Sequence, residues 1–277
     1  MDRRRLALMV LGVVAVAVGW WFLVRSDAPP APDLASAVES ASEAQAATTS
    51  ASNTAPVSSI TSTTTVAGYS PTASATSTAL PTTAPASTTA VSVAGPAGTW
   101  TVDTTIGSFN DFTSVWVGYR VEEVLGNGIG ANTAVGRTPL VIGSVELSDD
   151  ALLAVEVTAD LRGLRSDKVY RDGRVRGALH TDDHPTATFA LVGPVALVDV
   201  AGDGTSIEVV AAGTVAINGV AGAVDVAVAA TLVGDVVTVV GSFPIVFADY
   251  AIEAPSASIV VSVEDHGVVE FQLFLTR

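Results

Sequence analysis

The sequence predicts an all-β domain, a barrel or a sandwich of antiparallel strands, preceded by a transmembrane helix and a disordered stalk. Three observations lead to this prediction. Residues 1–25 hold an uncharged apolar run, residues 26–98 are almost entirely Ala, Ser, Thr and Pro, and residues 99–277 alternate apolar and polar side chains with a period of two. The third part is long enough to bury a core without crosslinks, in a chain that has no cysteine.

The apolar run Leu6–Val24 contains 19 uncharged residues, close to the roughly 20 that a helix needs to cross the hydrocarbon core. Arg3, Arg4 and Arg5 precede it, so the positive-inside rule places the N-terminus in the cytoplasm. A cleaved signal peptide is the alternative, but its apolar region normally has about 7–15 residues. We therefore expect an uncleaved single-pass anchor in the cell membrane, with the C-terminal domain extracellular.

Residues 26–98 contain one aromatic residue, Tyr69, and no lysine or arginine. Such a tract buries too little apolar surface to offset the entropy of ordering, so we predict a disordered stalk. As a flexible coil it would span about 50 Å on average. Its Thr-rich runs also fit O-glycosylation, whereas a plain spacer is the simpler interpretation.

Charge and composition exclude several classes of function. The formal net charge is −15, and nucleic-acid partners select for surfaces rich in lysine and arginine. The absence of cysteine excludes thiolate catalysis, disulfides and Cys-type zinc sites. A soluble, self-repelling extracellular domain fits the charge better than a nucleic-acid-binding one.

Alternation of period two is clearest in residues 151–161, 223–232 and 269–276. Each segment has one apolar face and an opposite face with polar residues, the pattern of a half-buried antiparallel strand. In the first segment the apolar face comprises Leu153, Val155, Val157, Ala159 and Leu161. In the other two it includes Val226, Val228 and Phe271. Further strands are expected at Trp100–Thr104, Ser114–Val121, Leu140–Leu147, Ala187–Val192, Ile207–Ile217, Val236–Val246 and Ser258–Val263.

The inward-facing residues are mostly Val and Ala, which leaves the interior open to two interpretations. An eight-stranded barrel has an interior just wide enough for side chains or for one small ligand, and small linings leave room. A two-sheet sandwich with a filled core fits the alternation equally well. Residues 162–185 show no alternation, and we expect one short helix there.

Five short motifs follow one another in the domain. They are Trp100-Thr101-Val102-Asp103, Arg171-Asp172-Gly173-Arg174-Val175-Arg176, His184-Pro185-Thr186-Ala187-Thr188-Phe189, Gly213–Val220 and Phe247–Ile252. This ordered series resembles the YceI-like family across essentially all of Trp100–Arg277. The resemblance implies an extended antiparallel β-barrel, similar in architecture to lipocalins, and a long apolar channel that holds a polyisoprenoid or a similar lipid. It also implies a binding protein and not an enzyme. The ligand-binding residues expected from the channel are Val155, Val157, Phe189, Val226, Val228 and Phe271.

A basic segment stands out in this acidic domain, since six of the nine cations after Thr99 lie between Arg162 and Pro185. Arginine binds phosphate with two parallel hydrogen bonds, so Arg171, Arg174 and Arg176 would suit a polyprenyl phosphate headgroup at the barrel mouth. The alternative is a solvated helix with local ion pairs.

Other candidate sites have weaker support. Gly126–Gly130 lacks the spacing of a phosphate-binding loop, and we expect a flexible loop of the barrel there. His180, Asp182, Asp183 and His184 are interpreted as a polar loop and not as a metal site. We find no nucleophile motif and expect no cofactor. The alternative to lipid binding is a structural or adhesion domain on the cell surface with a filled core.

Overall fold

The computed structural model describes residues 28–52, 95–198, 204–256, 258 and 260–277, with side chains throughout except in residues 48–52. The predicted anchor Leu6–Val24 and most of the predicted stalk lie outside these residues. Within them, no helix combines the length and the apolar character that crossing a bilayer requires.

The described chain forms thirteen strands, two α-helices and three short 3-10 turns. The helices are α1 (Leu34–Ser52) and α2 (Val169–Ala178). The 3-10 turns are Phe109–Asp111, Leu161–Gly163 and Phe247–Tyr250. The strands are β1 (Gly98–Val102), β2 (Trp116–Leu125), β3 (Gly130–Thr138), β4 (Val141–Leu147), β5 (Ala151–Asp160), β6 (Arg165–Ser166), β7 (Thr186–Leu191), β8 (Val195–Ala196), β9 (Ser206–Ile217), β10 (Val220–Val233), β11 (Val236–Val246), β12 (Val260–Val263) and β13 (His266–Thr276).

Eight antiparallel strands close into a barrel in the order β1-β4-β5-β7-β9-β10-β11-β13, because β13 pairs back with β1. The closing contact aligns Thr101 with Thr276 and Val102 with Leu275. Along the same edge, β13 also pairs with β2, from Trp116 opposite Gln272 to Arg120 opposite Val268. Strands β3 and β6 continue from β2 on that flank. The sandwich alternative is therefore wrong.

Each predicted strand overlaps an observed strand, and β11 coincides with its prediction at both ends. Strand β3 was not predicted, because the glycines before it indicated a loop. The structure shows that Gly126–Ile129 is the tight turn of the β2–β3 hairpin. Asn127 and Gly128 have φ values of 57° and 79°, the left-handed conformation that such two-residue hairpin turns require.

The structure corrects the predicted facing of one side chain of β5. The register shifts by one residue between Glu146 and Leu147 of the partner strand, which aligns Leu147 with Leu152. A bulge of this kind reverses the facing of the side chains that follow it. Leu152 is consequently buried and Leu153 is exposed, opposite to the prediction for Leu153.

The prediction of a single short helix is wrong, because α1 forms inside the segment predicted to be a disordered stalk. Asp33 caps the helix, accepting a hydrogen bond from the backbone N–H of Ser36 at 3.0 Å. Ala37 and Ala41 are 1% and 0% exposed, one helical turn apart, and pack against the outside of β10 and β11. Small residues at helical spacing let the helix approach the sheet closely, which composition alone does not reveal.

The residues before α1 also bind the barrel, through arginine side chains of β2 and β3. The Arg120 guanidinium donates to the carbonyl of Pro29 at 2.8 Å, and Arg137 donates to that of Pro30. Both arginines pair with the carboxylate of Glu270, whose side chain is 3% exposed. Residues 28–47, which we call the N-terminal segment, therefore cover an outer face that alternation alone would leave to solvent.

Candidate functional site

The inward-facing residues of the barrel enclose an apolar cavity of about 510 Å³. Alternate positions of each strand supply its wall, as the period of two dictates. The six apolar residues expected to bind a ligand all line this cavity: Val155, Val157, Phe189, Val226, Val228 and Phe271. At one end of the barrel it reaches Gly95, Pro96, Asp149 and Thr205.

A second, smaller cavity of about 150 Å³ lies toward the other end of the barrel, between β2, α2 and β12. Its wall includes Leu125, Val175, Phe247 and Val263. Four residues line both cavities, namely Val117, Ala187, Ile217 and Val269. The two cavities therefore adjoin along the barrel axis, and we call them together the channel.

Three aromatic rings in the wall lie flat against glycines of the neighbouring strand. The ring of Phe189 covers Gly213, and the ring of Phe271 covers Gly241. A Cβ atom at either glycine would overlap the ring. The ring of Tyr119 lies in the same way against Gly136, on the paired strand β3. These glycines keep large rings out of the lumen, and the sequence analysis missed them, although each lies on the inward face of its strand.

Arg171 does not face the channel as a free cation. Its guanidinium forms ion pairs with Glu123 and Asp167, and the three side chains are 9%, 5% and 3% exposed. Asn132 also donates to Glu123, at 2.8 Å. The buried charge is thus compensated within the protein, and Arg171 joins α2 to β2.

The other two arginines of the predicted cluster, Arg174 and Arg176, have different surroundings. Arg176 donates to the carbonyl of Leu164 at 3.2 Å and borders a polar surface groove with His180 and Asp182. Arg174 is exposed and lines the smaller cavity, and among the described residues it makes no ion pair. Of the three arginines, Arg174 alone presents an uncompensated charge at the channel.

Tyr119 also lines the smaller cavity. Its hydroxyl is buried and makes no hydrogen bond with a described residue. Burial raises the pKa of Tyr119, and the charge of Arg171 opposes that shift only in part. The hydroxyl therefore keeps its proton at neutral pH.

His180 and His184 do not belong to a group of metal-ligating side chains in the described part of the chain. His180 lies 3.0 Å from the Oδ1 atom of Asn218 and does not gather with Asp182, Asp183 or His184 around a common point. A set of ligand atoms close enough to share an ion occurs instead at residues 264–266. All three of these residues are exposed, and exposed acidic groups are common without an ion.

Comparison with known proteins identifies the fold. The sequence profile of the YceI-like domain matches residues 99–275. The chain belongs to the YceI-like family. The resemblance inferred from the five motifs is thereby confirmed over nearly the whole barrel. No curated protein matches the chain significantly.

Solved structures similar to this YceI-like protein include a polyisoprenoid-binding domain from Saccharophagus degradans implicated in plant cell wall breakdown. It is 18% identical, with 64% of this chain and 97% of that chain covered and a TM-score of 0.48. BcnA from Burkholderia cenocepacia is 18% identical, with 58% and 95% covered and a TM-score of 0.45. A YceI protein from Campylobacter jejuni is 12% identical, with 51% and 84% covered and a TM-score of 0.41.

Proposed function

We propose that this protein is a membrane-anchored, extracytoplasmic binding protein that holds an elongated apolar lipid of the polyisoprenoid type inside its barrel. The observation that carries the proposal is the apolar cavity of about 510 Å³ inside the barrel, with a second apolar cavity beside it. Folded proteins normally pack their interiors densely, with few voids larger than a water molecule. A cavity of this volume is large by that standard, and it falls within the range of roughly 300–1,000 Å³ typical of ligand pockets.

The chemistry of the wall favours a hydrocarbon chain over a polar ligand. Valine and alanine dominate the larger cavity, and two of the three ionic groups that border the smaller one, Glu123 and Arg171, compensate each other. An apolar ligand gains free energy in proportion to the area it removes from water, roughly 25 cal/mol per Å². A flexible, branched chain such as a polyisoprenoid fits an elongated lumen of this kind.

A phosphorylated headgroup is the finer part of the proposal. Arg174 carries an exposed and uncompensated charge at the smaller cavity, whereas Arg171 and Arg176 already hold partners within the protein. We therefore place the phosphate of a polyprenyl phosphate beside Arg174, with the hydrocarbon chain extending into the barrel. The net charge of the whole chain, −15, would otherwise repel such a headgroup.

Binding without catalysis fits the residues present. The described residues that line the channel are mostly apolar, which suits the binding of a hydrocarbon chain. A structural or adhesion domain with a filled core is the alternative, and an open apolar channel is an unstable feature for a protein that needs no ligand. The anchoring part of the proposal rests on Leu6–Val24 and its preceding arginines.

Two neighbouring valines on β9 provide the test. Val209 points into the larger cavity, whereas Val210 points outward and is 62% exposed. We expect native mass spectrometry of the full chain, purified from its host in detergent, to show a co-purifying apolar mass. Val209→Trp should fill the lumen and remove that mass, and Val210→Trp should retain it. A folded parent protein that repeatedly carries no lipid, or equal loading of the two variants, would overturn the proposal.

A further inference from the structure

Helix α2 exposes an apolar first turn next to the smaller cavity. Val169 is 85% exposed and Tyr170 is 57% exposed, although both are large apolar residues. Tyr170 and Arg174 also line the smaller cavity, so this helix face borders the mouth of the channel. Tyrosine rings favour the headgroup region of a bilayer, and arginine extends its charge toward that region from an apolar stem.

The N-terminal segment enters the fold at the middle of β2, the strand whose last residue lies at the smaller cavity. Pro29 contacts Arg120 on β2, five residues before Leu125, which lines the smaller cavity. At about 3.3 Å per residue, this separation corresponds to roughly 17 Å along the strand. Helix α1 then runs away from that end, because Gln45 donates to the carbonyl of Val233 at 2.8 Å, beside the turn that follows β10. Leu232, the neighbour of Val233, lines the larger cavity only.

The length of chain before the N-terminal segment limits how far the barrel can lie from a membrane. Four residues separate Val24, the last residue of the apolar run, from Pro29. A chain extends at most about 3.6 Å per residue, so Pro29 can lie no more than roughly 18 Å from the end of that run. This reach is about equal to the distance from Arg120 to the end of β2. The mouth of the smaller cavity can therefore touch the bilayer while the N-terminal segment stays bound to the barrel.

We propose that the exposed face of α2, formed by Val169, Tyr170 and Arg174, docks on the surface of a bilayer with anionic headgroups, and that the smaller cavity is the entrance for the lipid. This inference rests on the proposed function and adds to it the route of entry. The positive charge of Arg174 complements an anionic surface. Glu264 and Asp265, in the turn after β12, carry the opposite sign, so the α2 side faces the membrane.

Under this proposal the N-terminal segment has a role that a disordered stalk could not fill. Bound to β2, β10 and β11, it replaces a coil of about 50 Å average span by a tether of four residues. Residues 53–94, whose structure is not described, then connect α1 to β1. The barrel is held at the membrane by the N-terminal segment and not by the full length of the tract that follows the anchor.

Site-specific labels test the docking, since the chain has no native cysteine. Val169→Cys and Val210→Cys are each labelled with an environment-sensitive fluorophore in the full chain, reconstituted into phosphatidylcholine vesicles that contain phosphatidylglycerol. Both positions are exposed, and Val210 lies on the outer face of β9. We expect nitroxide-bearing lipids to quench the label at residue 169 severalfold more strongly than the label at residue 210.

A second pair of variants tests the contribution of the N-terminal segment. Ala41 is fully buried against the barrel, whereas Ser42 is exposed on the same helix. Ala41→Glu should detach α1 and reduce the quenching at residue 169 severalfold, and Ser42→Glu should leave it unchanged. Equal quenching in these two variants would overturn the tethering role.

Two outcomes separate this inference from the proposed function. If the full chain floats with the vesicles and carries lipid, but both labels are quenched equally, docking through α2 is overturned and lipid binding stands. If the full chain separates from the vesicles on flotation, the anchor of the proposed function is overturned, together with this inference.

Discussion

Removing the Arg171 guanidinium should destabilise the barrel strongly, although the residue belongs to a surface helix. Arg171→Met would leave the carboxylates of Glu123 and Asp167 buried without a counter-ion, at side-chain exposures of 5% and 3%. Breaking a buried ion pair by deleting one partner typically costs about 3–5 kcal/mol. For a domain of this size, 1 kcal/mol corresponds to a change in Tm of roughly 2–4 °C, so we expect Tm to fall by roughly 6–20 °C.

The same helix supplies a matched control for this experiment. Arg174 is exposed and forms no ion pair with any residue that the structure describes, so Arg174→Met should change the free energy of unfolding by no more than about 0.5 kcal/mol. Both variants are compared with the parent chain by thermal unfolding followed with circular dichroism. If Arg171→Met and Arg174→Met unfold within about 1 kcal/mol of each other, the ion pairs of Arg171 contribute no more than a solvated helix face would.

Two further predictions concern aromatic residues of the channel wall. Gly213→Ala should push the ring of Phe189 into the lumen and reduce the lipid mass seen by native mass spectrometry, at a cost of about 1–3 kcal/mol in stability. Gly193→Ala is the control, because a Cβ atom at that position meets no other atom. Equal lipid loading of the two variants would contradict the reasoning. Because burial raises the pKa of Tyr119 above its unfolded value, ionisation above pH about 10 favours the unfolded state. Tyr119→Phe should therefore leave the free energy of unfolding at neutral pH unchanged or slightly higher. It should also raise the pH at the midpoint of alkaline unfolding. An unchanged midpoint would show that this tyrosine does not titrate on unfolding.

The interior of the barrel could be predicted from the sequence because its signal is local. Val155, Val157, Val226 and Val228 alternate with polar or small neighbours, and a strand has only two faces on which to place them. The five motifs then selected a barrel over a sandwich. Leu153 was assigned to the wrong face because one extra residue in the β4–β5 pairing reverses the alternation, and a bulge depends on the partner strand.

Features that depend on distant parts of the chain could not be predicted in this way. Ala37 and Ala41 look like residues of a disordered tract until the outer faces of β10 and β11 provide a surface for them. The basic segment looked like one cluster, but the pairing of Arg171 with Glu123 joins residues 48 positions apart and removes that arginine from any headgroup site. A signal was present for α1: Asp33 lies three residues before Ser36 and just after three prolines, which is a helix-start pattern.

The pairing of β13 with β1 has a consequence for how the protein is made. The strand that closes the ring, β13, follows all the other barrel strands in sequence, and its partner β1 is the first of them. A chain emerging from the ribosome or crossing a membrane therefore has no complete barrel until β13 is free to pair. Contacts between residues so far apart in sequence form slowly, because loop closure must come first. A truncation before His266 removes a pairing partner from β1, β2 and β11 at once, so the fragment that remains should lack a closed barrel.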